Sequence, residues 1–207
     1  ELQFQLGQTH YYIGSLYFKE GPAAEAQEPM GRYLESALKL LELEPENPKS
    51  VLEASYALIS QVGLRIRSRG GVDTDTVEKA ERAVNLMKQA RMDHPADVEI
   101  EGNYSTTLAW LADVYNRSCD PIRALNVRKH ALDLAEEASR EAPMNLELKE
   151  VLAQRKTGVW RYHVNLGQLN DAEKQLEDAI SLYSELANLD PSDQEHHADV
   201  RYLTKRK

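Results

Sequence analysis

Few residues of this chain have the types and spacing that catalysis or metal binding needs. The six histidines are scattered, except for His196-His197, whose side chains diverge on a helix and cannot chelate one metal together. Cys119 lies beside acidic Asp120, which is not the electropositive setting that activates a thiolate, so we predict an inert surface thiol. The sequence contains no GxSxG, no HExxH and no phosphate-cradling glycine loop. We therefore predict no catalytic residues, no metal site, no cofactor and no enzyme activity.

The composition predicts a globular, helical chain. Of its 207 residues, 42% are apolar and 29% are charged, and it has only ten glycines and two phenylalanines. A formal charge of −9 disfavours nucleic-acid binding, which needs clustered Lys and Arg. No apolar run is long enough to span a membrane, and we expect no signal peptide within this sequence.

Four prolines recur at a fixed period and indicate the elements that position any site. They lie 50, 48 and 48 residues apart, at Pro45, Pro95, Pro143 and Pro191. Each is followed two residues later by a capping residue, namely Asn47, Asp97, Asn145 and Asp193. A proline followed by Asn or Asp is typical of a turn that ends one helix and caps the next. Repetition at this period predicts a solenoid of helix pairs.

Within each unit, the second helix carries an apolar stripe at spacing 4, 3, 4, 3, which is one helix face. Alanine dominates these inward seams, so we expect close helix packing. The seams are Ala26-Met30-Tyr33-Ala37-Leu40, Thr76-Ala80-Ala83-Met87-Ala90, Ala124-Arg128-Ala131-Ala135-Ala138 and Ala172-Leu176-Ala179-Tyr183-Leu186. The two extra residues of the 50-residue interval are placed near Gly70-Gly71. We predict capping boxes at Asp75…Glu78 and Ser192…Glu195.

The first helices of the units share a second sequence pattern, in which a small residue follows an apolar one. We place that small residue at Gly14, Gly63 and Ala112, while unit four has Trp160 there and His163 at the later aromatic position. Trp160 is interpreted as filling space against a terminal helix, and His163 as a hydrogen-bonded packing residue.

This combination of small residue, aromatic, alanine and closing proline resembles the tetratricopeptide repeat (TPR). The family unit has 34 residues, so the units of about 48 residues here predict seven extra residues, or about two turns, in each helix of about 22 residues. The resemblance implies an all-α, right-handed α-solenoid in a single domain over residues 1–207. Its four long helix pairs would cover about 1–47, 48–97, 98–145 and 146–193, followed by a terminal helix at 194–207. Both ends fall near unit boundaries, which is expected of a segment from a larger protein.

In TPR arrays the first helices line a concave groove, so the resemblance implies partner-binding positions there. Transferred onto this sequence, and with Trp110 added as a candidate anchor beside Tyr11 and Arg67, they are Gln8, Tyr11, Ser15, Ser60, Arg67, Thr106, Trp110, Asp113, Asn116, Arg161 and Asn165. For Tyr11 and Trp110 a packing role is the equal alternative. The Lys and Asn with which some family members grip a peptide carboxylate are replaced by Tyr11 and Ser15, so that clamp is absent.

The leading functional prediction is a non-catalytic scaffold that binds a protein or peptide in this groove. The array is similar to C-terminal TPR arrays of bacterial multidomain signalling proteins. The alternatives are a ligand- or signal-peptide-sensing regulatory domain and a homo-oligomerisation module, such as a homodimer. A cytoplasmic location is favoured, with the periplasm as the alternative if the parent protein has an upstream membrane helix.

Overall fold

The computed structural model describes residues 2–21, 24–68, 71–95 and 97–207. Over these residues the chain forms nine helices and no strand. They are α1 (Leu2–Glu20), α2 (Gln27–Leu43), α3 (Pro48–Arg67), α4 (Thr74–Asp93), α5 (Val98–Arg117), α6 (Pro121–Glu141), α7 (Leu146–Asn165), α8 (Leu169–Leu189) and α9 (Gln194–Thr204). The predicted all-α fold is confirmed, although α2 to α8 have 17 to 21 residues rather than about 22. Gly70, near which the two extra residues were placed, lies outside the described residues.

The helices fall into two compact units, Glu1–Cys119 with α1 to α5 and Asp120–Lys207 with α6 to α9. In the first unit each helix packs on the next in the chain, and α3 also packs on α5. In the second unit α6 packs on α7, α7 on α8 and α8 on α9. Consecutive antiparallel helices in contact are the packing of a helical repeat. The single domain over 1–207 and its unit boundaries stay predictions.

The four proline turns are built alike, because a proline and a cap impose the same local geometry. The residue before each proline leaves the helical conformation, as Glu44 does at φ −138° and ψ 65°. In each turn the backbone N–H of the capping residue donates to the carbonyl of the residue that precedes the proline, as Asn145 does to Ala142 at 2.9 Å. The capping side chains then accept from the first turn of α3, α5, α7 and α9. The predicted caps Asn47, Asp97, Asn145 and Asp193 are confirmed.

Two predicted capping boxes are wrong. Helix α4 is capped by Asp73, whose carboxylate accepts from the Thr76 N–H at 2.9 Å, so Asp75 lies inside the helix. Helix α9 is capped by Asp193, and the Ser192 hydroxyl instead donates to Asp190 at 2.6 Å. In both cases an aspartate within two residues of the predicted cap accepts hydrogen bonds from the unpaired backbone N–H groups of the first helical turn and so caps the helix instead.

The predicted inward seams are confirmed, since each of their residues is buried. Alanine allows this because it lets neighbouring helix backbones approach closely without a cavity or a clash. Arg128, in the seam of α6, is the one charged seam residue. Its guanidinium passes 3.2 Å from where a Cβ of Gly158 would lie and sits over the Tyr162 ring at 5.5 Å. The free-energy cost of burying this cation is therefore offset by its contact with the aromatic face of Tyr162.

The predicted register of α3 is wrong by one residue. The buried small position lies fifteen residues after the helix cap at Ala112 in α5, counted from Asp97. The same count from Asn47 reaches Val62, which is fully buried, and not Gly63. A Cβ on Gly63 would instead meet the Trp110 ring at 3.4 Å. Position for position, α1 therefore aligns with α3 at +48 and α3 with α5 at +50.

Two turns between paired helices use a left-handed backbone at the same repeat position. Gly167 has φ +71°, and Gln168 and Gly167 donate back to the carbonyls of His163 and Val164. This is a Schellman motif, in which glycine is favoured because it has no Cβ. Cys119, 48 residues earlier, takes φ 62° without that advantage. Its side chain is exposed.

The two irregular residues of α7 have packing roles, as predicted. Trp160 belongs to the buried cluster that also contains Leu203 of α9. His163 is buried, and its Nδ1 lies 2.6 Å from the Oε1 of Gln168.

Candidate functional site

The best-defined polar arrangement on the first helices of the unit Glu1–Cys119 is a ladder of two equivalent hydrogen bonds. Gln8 of α1 donates from Nε2 to Oε1 of Glu53 on α3 at 2.8 Å. Tyr56 of α3 donates from its hydroxyl to Oδ1 of Asn103 on α5. Gln8 aligns with Tyr56 at +48, and Glu53 aligns with Asn103 at +50, so both bonds join the same repeat positions. We call these four residues the polar ladder.

Thr106 of α5 aligns with the donors Gln8 and Tyr56, and it extends this arrangement into a surface together with the residues one helical turn beyond these three positions. Side chains four residues apart lie on the same side of a helix. The ladder surface is the polar ladder together with Tyr12, Ser60, Thr106 and Trp110. Tyr12 is exposed, and its ring meets that of Tyr11 edge-on at 5.8 Å between centroids.

Two hydrogen-bond donors fix the carboxylate of Glu53 within the ladder surface. The hydroxyl of Tyr33 on α2 donates to its Oε2 at 2.7 Å, opposite the bond from Gln8. Burial raises the pKa of Glu53 above its ordinary value, and the hydrogen bonds from Tyr33 and Gln8 reduce that rise. Burial, with the charge of Glu53 next, also raises the pKa of Tyr33, so its hydroxyl keeps its proton and acts as a donor.

Tyr56 combines a fixed hydroxyl with an accessible ring. Its side chain is 40% exposed although its hydroxyl is bonded to Asn103. Burial and the charges of Glu99 and Glu53 raise its pKa to about 12, while the bond with Asn103 lowers it. The phenol therefore stays neutral at physiological pH, and the ring is held in one orientation.

The predicted anchors Tyr11 and Trp110 both contribute to packing. The Tyr11 ring lies 5.3 Å from that of Tyr33 and packs against the cluster around Met30. Trp110 packs against the cluster of Leu58, Ile59 and Ala83. Both remain partly exposed, so packing fixes their positions without hiding them.

The other predicted residues of this unit lie on the expected helices. The guanidinium of Arg67 lies 4.8 Å from the Phe18 ring centroid and donates to the Phe18 carbonyl. Ser60 and Thr106 donate to carbonyls of their own helices, at 2.8 Å and 3.0 Å. Asp113, Asn116 and Ser15 are half-buried.

The choice of Ser60 and Arg67 from the sequence rests on Gly63 as the small residue of α3. With Val62 in that position, the residue that aligns with Tyr11 is Ile59, and Ser60 aligns with Tyr12 and Trp110. As partner-binding positions, the predicted residues stay predictions.

The unit Asp120–Lys207 carries the remaining two candidates, Arg161 and Asn165, both exposed on α7. Arg161 lies 6.0 Å from the Tyr202 ring of α9. On the same helix, buried Lys156 donates to Glu136 at 2.9 Å and to Asp178 at 3.1 Å. Burial alone would lower the pKa of Lys156, but these two carboxylates outweigh it and raise the pKa overall. Lys156 is therefore a structural tie between α6, α7 and α8.

Glu53, Tyr56, Asn103 and Tyr12 were missed as candidate positions. The one-residue shift in α3 hid Tyr56 because Ala57 took its place in the repeat alignment. The signal that could have found it was the constant distance from each cap to the buried small residue. In the parts of the chain that the structure describes, no group of three or more His, Cys, Asp or Glu side chains could hold a metal ion. No described helix is long and apolar enough to cross a membrane.

Comparison with known proteins supports the fold. A solved structure of MamA from Desulfovibrio magneticus RS-1 is 15% identical, with a TM-score of 0.51, and the match covers 97% of this chain and 85% of that one. A thermophilic TPR protein of Thermus thermophilus is 16% identical, with a TM-score of 0.51, over 98% of this chain and 97% of that one. No protein-family model and no curated protein sequence matches the chain. The predicted TPR-like, all-α solenoid is thus confirmed as a fold.

Proposed function

We propose that this chain is a non-catalytic protein–protein interaction module that binds a peptide on the ladder surface of the unit Glu1–Cys119. The observation that carries the proposal is the repeated pair of hydrogen bonds, Gln8 to Glu53 and Tyr56 to Asn103. It links the first helices α1, α3 and α5 and holds the ring of Tyr56 in a fixed, accessible position. Rigid aromatic side chains lose little entropy on binding and are enriched in interface hot spots.

The charges of this surface favour a neutral or basic peptide. Glu53 belongs to the ladder surface, and Glu99 and Asp113 lie within one helical turn of its residues Asn103 and Trp110 on α5. Arg67 is the one cation among the predicted residues of this unit, and it lies over Phe18. A peptide with lysine, arginine or backbone N–H donors would complement these acceptors, whereas a terminal carboxylate would be repelled. A place within a bacterial signalling protein remains part of the proposal, from the sequence resemblance alone.

A displayed peptide library tests this proposal. Peptides selected on the wild-type chain should bind at least about tenfold more weakly to Tyr12→Ala and to Tyr56→Ala, because each change removes a hot-spot ring. Tyr56→Phe keeps the ring and should lose less affinity.

The matched control is Tyr202→Ala, which removes from α9 a tyrosine whose exposure, 42%, is close to that of Tyr56. Circular dichroism should confirm that each variant stays folded. If selected peptides bind Tyr12→Ala and Tyr56→Ala as tightly as Tyr202→Ala, the ladder surface is not the binding site.

A further inference from the structure

Helix α1 carries an exposed apolar stripe on one face. Leu2, Leu6, Ile13 and Leu16 follow helical spacing with Thr9 between them, and all four apolar side chains are exposed. Leu2 is 81% exposed and Leu16 is 63% exposed. A line of four large apolar side chains on one helix face is more than the scattered exposure expected of a protein surface.

The same repeat positions are buried in α5, which aligns with α1 at +98. They are Ile100, Tyr104, Thr107, Leu111 and Val114, of which Ile100 and Val114 are fully buried. Thr107 aligns with Thr9, so even the polar interruption of the stripe recurs. The stripe of α1 therefore has the residue types of a packed helix interface.

The helix immediately ahead in the chain packs on every other first helix of a pair, and in α3 and α7 it contacts stripe positions. In α3, Ala57 and Leu64 share a buried cluster with Met30 of α2 and with Ala26, the residue before α2. Helix α4 packs on α5, and the Tyr115 hydroxyl of α5 donates to Glu81 of α4 at 2.7 Å.

The second unit repeats this arrangement. Helix α6 packs on α7, and Arg128 of α6 covers the Tyr162 ring. Each covering helix presents an alanine-containing seam.

Helix α9 has a different outward side. Its apolar residues Val200 and Leu203 pack against the cluster of α8, while the polar side chains of Arg201 and Thr204 are exposed. Helix α1 has an apolar stripe in place of such a polar side.

We infer that the stripe of α1 binds one amphipathic helix with an alanine-rich seam, packed on α1 as α4 packs on α5. The occupant is a helix of the same polypeptide that precedes α1 and corresponds to the second helix of a repeat pair. The helices α2, α4 and α6 pack on α3, α5 and α7 in that way. This contact is separate from the ladder surface and does not depend on the peptide-binding proposal.

The test fuses a second copy of residues 73–98 directly before Glu1. This segment contains the Asp73 cap, α4 and the proline turn, and Glu1 then follows Val98 as Glu99 does in the native sequence. If the extra helix covers the stripe, the melting temperature should rise by about 5 °C or more. Amide hydrogens of α1 should exchange more slowly in the fusion than in the unfused chain.

Two controls isolate the contact. The same fusion with Ala80→Glu and Ala83→Glu in the added copy only cannot pack its seam, and it should show no rise. Ile13→Ser should cost the unfused chain little, because Ile13 is exposed there, yet it should remove most of the gain in the fusion.

Three results would overturn the inference. One is a fusion that melts with the unfused chain, and another is an equal rise with the glutamate-seam copy. The third is light scattering that finds the unfused chain dimeric and the Ile13→Ser chain monomeric, since a second copy would then be the occupant.

Discussion

Replacing Gly167 by alanine tests whether backbone conformation alone decides if a substitution raises or lowers the free energy of unfolding. Gly167 has φ +71° in the turn between α7 and α8. A Cβ built at this position meets nothing within 4 Å, so no side-chain clash contributes. The whole effect must therefore come from placing an L-residue with a Cβ in the left-handed region.

The expected loss follows from two opposing terms. A left-handed conformation costs an L-residue with a Cβ about 1–2 kcal/mol. Alanine loses less backbone entropy than glycine on folding, which returns about 0.5–1 kcal/mol. Gly167→Ala should therefore destabilise the fold by about 0.5–1 kcal/mol, or by about 1–4 °C in melting temperature for a chain of this length.

Gly31→Ala is the matched control because it makes the same chemical change in the interior of α2. A Cβ there also meets nothing within 4 Å, but the backbone is helical. Removing glycine from a helix interior should stabilise by about 0.5–1 kcal/mol.

Urea denaturation followed by circular dichroism, with unchanged slopes, measures both shifts. Opposite signs are expected. A neutral or stabilising Gly167→Ala would refute the assigned turn geometry.

Three further substitutions give expected outcomes. Cys119→Gly should raise the free energy of unfolding by about 0.5 kcal/mol in urea denaturation, because Cys119 has φ 62°; a loss of stability would contradict this. Ala131→Leu should lower the melting temperature, since overpacking a fully buried seam position costs about 1–3 kcal/mol, and an unchanged melting temperature would contradict the seam packing. Burial raises the pKa of Glu53, so the folded state binds its proton more tightly and wild-type stability falls as pH rises from 4.5 through that raised pKa. Glu53→Gln should lose this dependence and gain stability over wild type as pH rises through that window; parallel curves of stability against pH would show that Glu53 is not responsible.

Much of the fold could be predicted because helix seams and caps follow short-range rules. The stripe Ala124 to Ala138 was recognisable from spacing alone, and each of its members is buried. The cap of α4 was misplaced because Asp73, Asp75 and Thr76 all have capping side chains, and only the path of the chain decides which one reaches the free N–H groups.

The candidate site was predicted less completely, because its hydrogen bonds join residues far apart in sequence. Gln8 was named but its partner Glu53 was not, and neither Tyr56 nor its partner Asn103 was named. Gly63 looked like the small residue of the TPR pattern, whereas the distance from the helix cap places Val62 at that position. A one-residue error turns a helix by about 100°, which is enough to move a residue from the ladder surface into the core.

The sequence by itself determined the helical repeat, the proline turns and the alanine seams. Proline, Asn, Asp and alanine act on the backbone within a few residues, so their effects are local and readable in order along the chain. The tertiary structure alone decided which faces are covered. Equivalent stripes are buried in α5 and exposed in α1, although their residues are alike, because burial depends on a neighbouring helix and not on the stripe itself. It also decided that Tyr56 meets Asn103 across two helices, since the packing of α3 on α5 brings together positions 47 residues apart.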